Sequence, residues 1–215
     1  MFVFTLQYKV LFKMKNEQDY LHDITEIRSM MERSTKFLSL SGWAGIMAGI
    51  YALAAVYIAT SFLQFDIRAI TAGASFNLFP VCMLASTVLI LAVGTAIVLS
   101  NRNASTKGEK TWNATSRKVL ATVAVPLFTG GFLILIFLAR GLFEFTPALT
   151  LLFYGLALYS AGNFTFGEIK YLGLFQLILG LVSAWFTEYS IACWAMGFGI
   201  LHIAYGIYIH TRYQQ

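Results

Sequence analysis

Apolar residues gather into six long runs along the chain, at 37–59, 78–99, 119–139, 146–163, 169–187 and 190–209, separated by shorter polar stretches. Each run reaches or approaches the about 20 residues that a helix needs to cross a hydrocarbon core. Backbone polar groups at that depth must be bonded within the protein, so a helix is the form such a run takes. The pattern predicts an all-α fold, a polytopic membrane bundle of six transmembrane helices over 37–209. A cytoplasmic arm at 1–36 precedes it and a cytoplasmic tail at 210–215 follows. The fourth run is the shortest.

The arm has a pattern of its own. Tyr20, Ile24, Ile27 and Met31 recur at helical spacing and give one apolar stripe, and Glu32 can pair with Lys36 one turn on. This predicts an amphipathic N-terminal helix within the arm. It reads either as a docking or dimerisation helix or as an extension of the first span resting on the inner loops. Its basic and acidic residues nearly balance, so it is not a polybasic lipid anchor. The opening "MFVFTLQYKVLFK" is too short to span and has no small-residue cleavage pattern, and Met1 and Met14 are both candidate starts.

Composition sharpens the class. The chain is 58% hydrophobic and 12% charged, and a soluble domain could not hide that much apolar surface. The net charge of +5 is therefore read first as topology. Thirteen of the fifteen Lys and Arg fall in the arm, in the segment 100–118, or at Lys170 and Arg212; only Arg68 and Arg140 lie on the opposite side. That asymmetry places both termini in the cytoplasm, as an even number of spans requires. Trp185, Tyr189 and Trp194 mark the outer interface, and Phe164, Phe166, Tyr171, Tyr208 and Tyr213 the inner one. The sequons at Asn103, Asn113 and Asn163 then fall on the cytoplasmic side and are not glycan acceptors.

Polar residues inside spans are the first place to look for function, because hydrocarbon tolerates them only with partners. Gln176 and His202 lie well inside, and no acidic residue sits mid-span. On the sixth run Ala195, Gly199, His202 and Gly206 share a helical face; on the fifth, Gly173, Gln176, Gly180 and Ala184 do the same. One antiparallel register pairs Ala184 with Ala195, Gly180 with Gly199 and Gly173 with Gly206, and brings Gln176 within one residue of the level of His202. Small residues let membrane helices approach closely, so this register predicts a Gln176–His202 hydrogen bond across the seam. Such a bond is worth on the order of 0.6 kcal/mol. Tyr205 and Tyr159 reach similar depth and complete a candidate polar cluster. A neutral imidazole used as polar glue is weighed here against a proton-handling site; no carboxylate at that depth would hold it charged.

Pro126, Gly130 and Gly131 in "VPLFTGGF" predict a kink in the third span, either a hinge or a static bend. Gly45 and Gly49 form a small-residue face that suits a homo-oligomer or packing within the bundle. Cys82 and Cys193 lie at similar depth near the outer ends of their spans; that permits a disulfide, whereas apolar burial makes them inert small side chains. No catalytic or cofactor-binding motif is present, and no metal-ligand spacing. The basic segment 100–118 carries one aromatic residue, which suits topology better than nucleic acid.

Two stretches, "GNFTFGEIKYLGLFQLILG" and "WAMGFGILHIAYGIYIH", resemble those of uncharacterised multi-pass bacterial inner-membrane proteins. The resemblance covers the last two spans and implies an inner-membrane location; it carries no activity. Three functions are carried forward: a non-catalytic accessory, sensor or scaffold protein in the lipid bilayer, with the N-terminal helix or loop 100–118 as partner surface; a small-solute or ion transporter or channel, with a path near His202 and the Pro126–Gly131 bend; and, least favoured, an intramembrane enzyme.

Overall fold

A computed structural model of the chain describes residues 41–71, 76–106, 112 and 114–213. The chain divides into two compact units, Met1–Lys36 and Phe37–Gln215, and the described residues all belong to the second. The expected N-terminal amphipathic helix lies outside them. Regular structure among the described residues is entirely helical. The helices are α1 (Gly42–Ser61), the short α2 (Ile67–Thr71), α3 (Phe79–Thr106), α4 (Ala114–Ala139), α5 (Thr146–Ala161) and α6 (Ile169–Trp185). The last helix, α7, is continuous over 190–213 but changes winding along its length. It is α-helical over Ser190–Trp194, π-helical over Ala195–Leu201 and α-helical again over His202–Tyr213.

Four helical stretches are long and apolar enough to cross a membrane: Gly42–Ser61, Phe79–Thr106, Ala114–Ala139 and Thr187–Tyr213. This is the make-up of a helical membrane bundle. Helices α5 and α6 have 16 and 17 residues, about 24–26 Å at the α-helical rise, and fall short of a core about 30 Å thick. Two helix ends differ from the apolar runs that predict them. Helix α3 continues through Ser100–Thr106, and α4 begins at Ala114, so much of the segment read as loop 100–118 is helical. Hydropathy marks where lipid ends; the backbone ladder continues into water wherever the local sequence allows.

Packing follows the glycines. A Cβ built on Gly42 would lie 2.5 Å from the Gly206 carbonyl oxygen, and one on Gly49 would lie 2.6 Å from that of Gly199. A Cβ on Gly45 would lie 3.2 Å from the Gly206 Cα. Helices α1 and α7 therefore run antiparallel in backbone contact, the close approach by which membrane helices gain dispersion energy. The Gly45–Gly49 face is an internal packing face. Helices α5 and α6 form a second tight antiparallel pair, with Gly173 against the Gly155 carbonyl and the Tyr159 backbone, and Gly180 against Leu152.

These contacts replace the register expected between the last two helices. Gly173 and Gly180 do not meet Gly206 and Gly199; each pair packs on a different neighbour. A small residue permits close approach without naming a partner, and α5 and α1 supply the better-matched notches.

Neighbours in space run α3, α1, α7, then the α5–α6 pair, then α4. Consecutive helices α3 and α4 share no extended contact, and the apolar midsection of α3 is unburied. Helix α4 runs unbroken through Pro126. Gly130 receives the Phe153 ring of α5, while a Cβ on Gly131 would meet nothing within 4 Å. The candidate hinge thus holds one packing notch and one open glycine. Cys82 is exposed, Cys193 is buried, and both are free.

At the end of the bundle that carries Asp66, Glu144 and Glu188, α2 folds back so that Ile67 is buried. Arg68 Nη2 donates to the Glu188 carbonyl at 3.4 Å, and its guanidinium stands over the Tyr189 ring. At the other end the Tyr213 hydroxyl donates to Glu168 Oε1 at 2.7 Å, and its ring stacks on Phe166.

A methyl group at the α1–α7 contact has no room. Gly206→Ala is expected to cost about 1–3 kcal/mol, and Gly131→Ala, facing open space, to stay within about 0.5 kcal/mol of wild type. Thermal unfolding of the two variants in detergent compares them directly.

Candidate functional site

The buried polar side chains converge where α5, α6 and α7 meet. Gln176 is fully buried and His202 is 5% exposed, so each must find partners within the protein. Gln176 Nε2 donates to the Gly197 carbonyl at 2.9 Å, and His202 Nδ1 lies 2.9 Å from the same oxygen. The carbonyl can only accept, so Nδ1 carries the proton. The neutral ring then offers Nε2 as acceptor, and the Tyr154 hydroxyl donates to it at 3.0 Å. The geometry fixes one tautomer.

Gln176 Nε2 and His202 Nδ1 are 3.4 Å apart. Both are donors in this arrangement, so they meet through the carbonyl they share instead of bonding each other. The amide orientation is fixed by the same logic, since turning it over would set Oε1 against the Gly197 oxygen. As it stands, Oε1 has no conventional partner and lies close to the Gly197 Cα. A Cβ built there would come within 2.5 Å of Oε1 and of Leu151 Cδ2. Residue 197 must be glycine for Gln176 to lie along its backbone.

The π turn runs through Gly197, and the carbonyl there accepts from both side-chain donors with its two lone pairs. It also changes the phase of α7. Gly199 and Gly206 face α1, where the His202 carbonyl also points, while the His202 ring turns to α5 and α6. Aromatic rings line its other side. Phe198 lies nearly parallel to His202, with centroids 5.7 Å apart, and Trp194 packs on Phe198 at 4.8 Å.

Of the two tyrosines grouped with His202 by depth, Tyr159 is exposed and Tyr205 packs on the same apolar cluster as Tyr154. Tyr159 packs its backbone on Gly173, but its side chain is 48% exposed. Five residues along an α-helix turn by about 140°, so Tyr154 faces the cluster and Tyr159 does not. Tyr205 packs with Tyr154 and Leu201 on Leu158, Ile169 and Leu172, and its buried hydroxyl has no partner. Pro126, Gly130 and Gly131 are separated from His202 by α5, which meets Gly130 through Phe153 and His202 through Tyr154.

Tyr154 and Gly197 are the members that periodicity misses. The signal for Gly197 is its place in "WAMGFGILH", between aromatic residues four apart that can form one column. Nothing local singles out Tyr154.

Other buried oxygens are also unpartnered. Ser183 and Ser190 are fully buried without a hydrogen-bond partner. Ser183 lies seven residues beyond Gln176 on α6, and Ser190 seven before Gly197 on α7, so antiparallel geometry sets them at one level.

Tyr154→Phe removes the donor to Nε2 and is expected to cost about 0.5–1.5 kcal/mol, read by unfolding in detergent. Gly197→Ala is expected to cost about 1–3 kcal/mol. Adding Gln176→Ala relieves one of the two contacts of the new methyl, Leu151 Cδ2 being the other, so the double variant loses less than the two single costs combined. Additive costs in that cycle would show that the two residues do not touch energetically.

No family model matches the chain, and no curated protein or solved structure is significantly similar to it.

Proposed function

We propose that the chain is a six-span protein of the bacterial inner membrane with both termini in the cytoplasm, acting without catalysis as an accessory, sensor or scaffold. One observation carries the functional part. Both ring nitrogens of His202 are engaged by Tyr154 and by the Gly197 carbonyl, so the most polar point of the interior serves to join helices. Among the described residues no carboxylate is hydrogen-bonded to it.

The Lys and Arg asymmetry supports the orientation, and the antiparallel α1–α7 pair suits an even number of crossings. In this reading α5 and α6 also cross. The turns at Phe143–Phe145 and Thr187–Tyr189 and the connection 162–168 extend these short helices toward the two surfaces. The unburied midsection of α3 faces lipid or a second protein, and the cytoplasmic ends of α3 and α4 present the basic residues Arg102, Arg117 and Lys118 as a partner surface.

A transporter is the second reading, favoured by the unpartnered Gln176, Ser183 and Ser190 oxygens near the α6–α7 seam. The test is twofold. Protein purified in mild detergent is expected to bring down a stoichiometric lipid or protein partner, which is lost when Arg102, Arg117 and Lys118 are reversed to Glu. Proteoliposomes are expected to show no ion or small-solute flux above empty vesicles. Specific flux abolished by Gln176→Leu would overturn the proposal in favour of transport.

A further inference from the structure

We propose that Arg212 and Tyr208, at the end of α7, form a binding site for the phosphate of an anionic phospholipid. The inference requires only that α7 crosses the bilayer, so it stands apart from the function proposed above and from the side on which the chain ends.

Arg212 lies at headgroup depth. The apolar stretch Thr187–Tyr213 has 27 residues, about 40 Å at the helical rise, which matches a bilayer with its headgroup layers and exceeds the hydrocarbon core alone. Arg212 is the last residue but one of that stretch. Tyr208 and Tyr213 beside it are half-exposed, as aromatic residues at that level are.

The guanidinium is held ready. Arg212 Nη1 donates to the Tyr208 hydroxyl oxygen at 2.6 Å. Its central carbon stands 5.7 Å from the centre of the Tyr208 ring and 5.8 Å from that of Tyr213, within the range of cation–π attraction. Tyr213 is fixed in turn, its hydroxyl on Glu168 and its ring on the buried Phe166. An arginine placed in this way loses little freedom when it takes a ligand.

What the pair offers is donors. One guanidinium N–H is spent on Tyr208 and the others are not; because the Tyr208 oxygen accepts there, its own hydrogen is also unspent. Among the described residues Arg212 forms no ion pair. Charged N–H groups and an O–H at one point suit the oxygens of a phosphate. A choline headgroup would set its own cation beside the guanidinium, while Glu168 already accepts from Tyr213. A headgroup of net negative charge avoids that repulsion. Toward the membrane interior, Ile200, Ala204 and Ile207 follow at helical spacing on the exposed side of α7. The small Ala204 between two isoleucines leaves a shallow channel for an acyl chain.

The test is native mass spectrometry of the full-length protein, stripped of lipid in detergent and titrated with three probes. These are palmitoyl-oleoyl phosphatidylglycerol, phosphatidylcholine with the same chains, and the chainless headgroup glycerophosphoglycerol. One phosphatidylglycerol per chain is expected to bind about fivefold more tightly than phosphatidylcholine. Arg212→Gln, on the exposed surface, is expected to weaken phosphatidylglycerol binding about tenfold. Tyr208→Phe keeps the ring and is expected to weaken it about threefold. The chainless headgroup is expected to bind about tenfold more weakly than the lipid. Reversal of Arg102, Arg117 and Lys118 to Glu is expected to leave phosphatidylglycerol binding unchanged, which separates this site from the partner surface above. Equal affinity for the two lipids, wild-type affinity in either single variant, equal binding of the chainless headgroup, or loss of binding in the triple reversal would each overturn the proposal.

Discussion

In a hydrocarbon environment a buried polar side chain is a liability unless it finds a partner, and the interior of this protein is organised around one backbone carbonyl that partners two of them. The π turn of α7 carries the Gly197 oxygen, and Gln176 from α6 and His202 from α7 itself both donate to it. That double engagement fixes the imidazole tautomer, which in turn assigns Tyr154 of α5 its role as donor. Three helices are tied through one carbonyl and one imidazole. The rest of the packing must then accommodate a helix whose two halves are out of phase.

It does so by backbone contact. With its ring committed to α5 and α6, the second half of α7 offers Gly199 and Gly206 to α1, whose Gly42, Gly45 and Gly49 let the two chains touch. The α5–α6 pair repeats the device with Gly155 and Gly173. Since lipid is as apolar as leucine, these contacts are held by dispersion and shape and not by exclusion of water. A notch filled by carbonyl oxygen and Cα is therefore more selective than one filled by a flexible side chain. Helices α3 and α4 keep much of their apolar surface outward.

Much of this was legible in the sequence, and what was not has a physical cause. Apolar runs predict helices because the membrane allows few other forms, and all six runs contain helices in the structure, though α5 and α6 are short for a full crossing. Gln176 and His202 stood out as isolated polar residues, and they are neighbours. Their register was misread because the Gly173, Gly180, Gly199 and Gly206 faces look self-complementary, while each had a closer fit on another helix. The π turn added to the error by inserting a residue that an α-helical wheel does not count. Tyr154 was invisible because nothing in "LLFYGLALYS" separates it from Tyr159; only the rotation of α5 does. The ends of α3 and α4 were misplaced because hydropathy reports the solvent and not the hydrogen-bond ladder.

The pairing of α1 with α7 also bears on assembly. The first described span and the last are each other's partners, so during synthesis α1 enters the bilayer with its glycine face uncovered and keeps it so until the final helix arrives. Closure of the bundle is a late event that brings the first and last described helices together. A truncation that spares every residue of α1 would still leave that helix without its mate and open to other glycine-faced helices in the membrane.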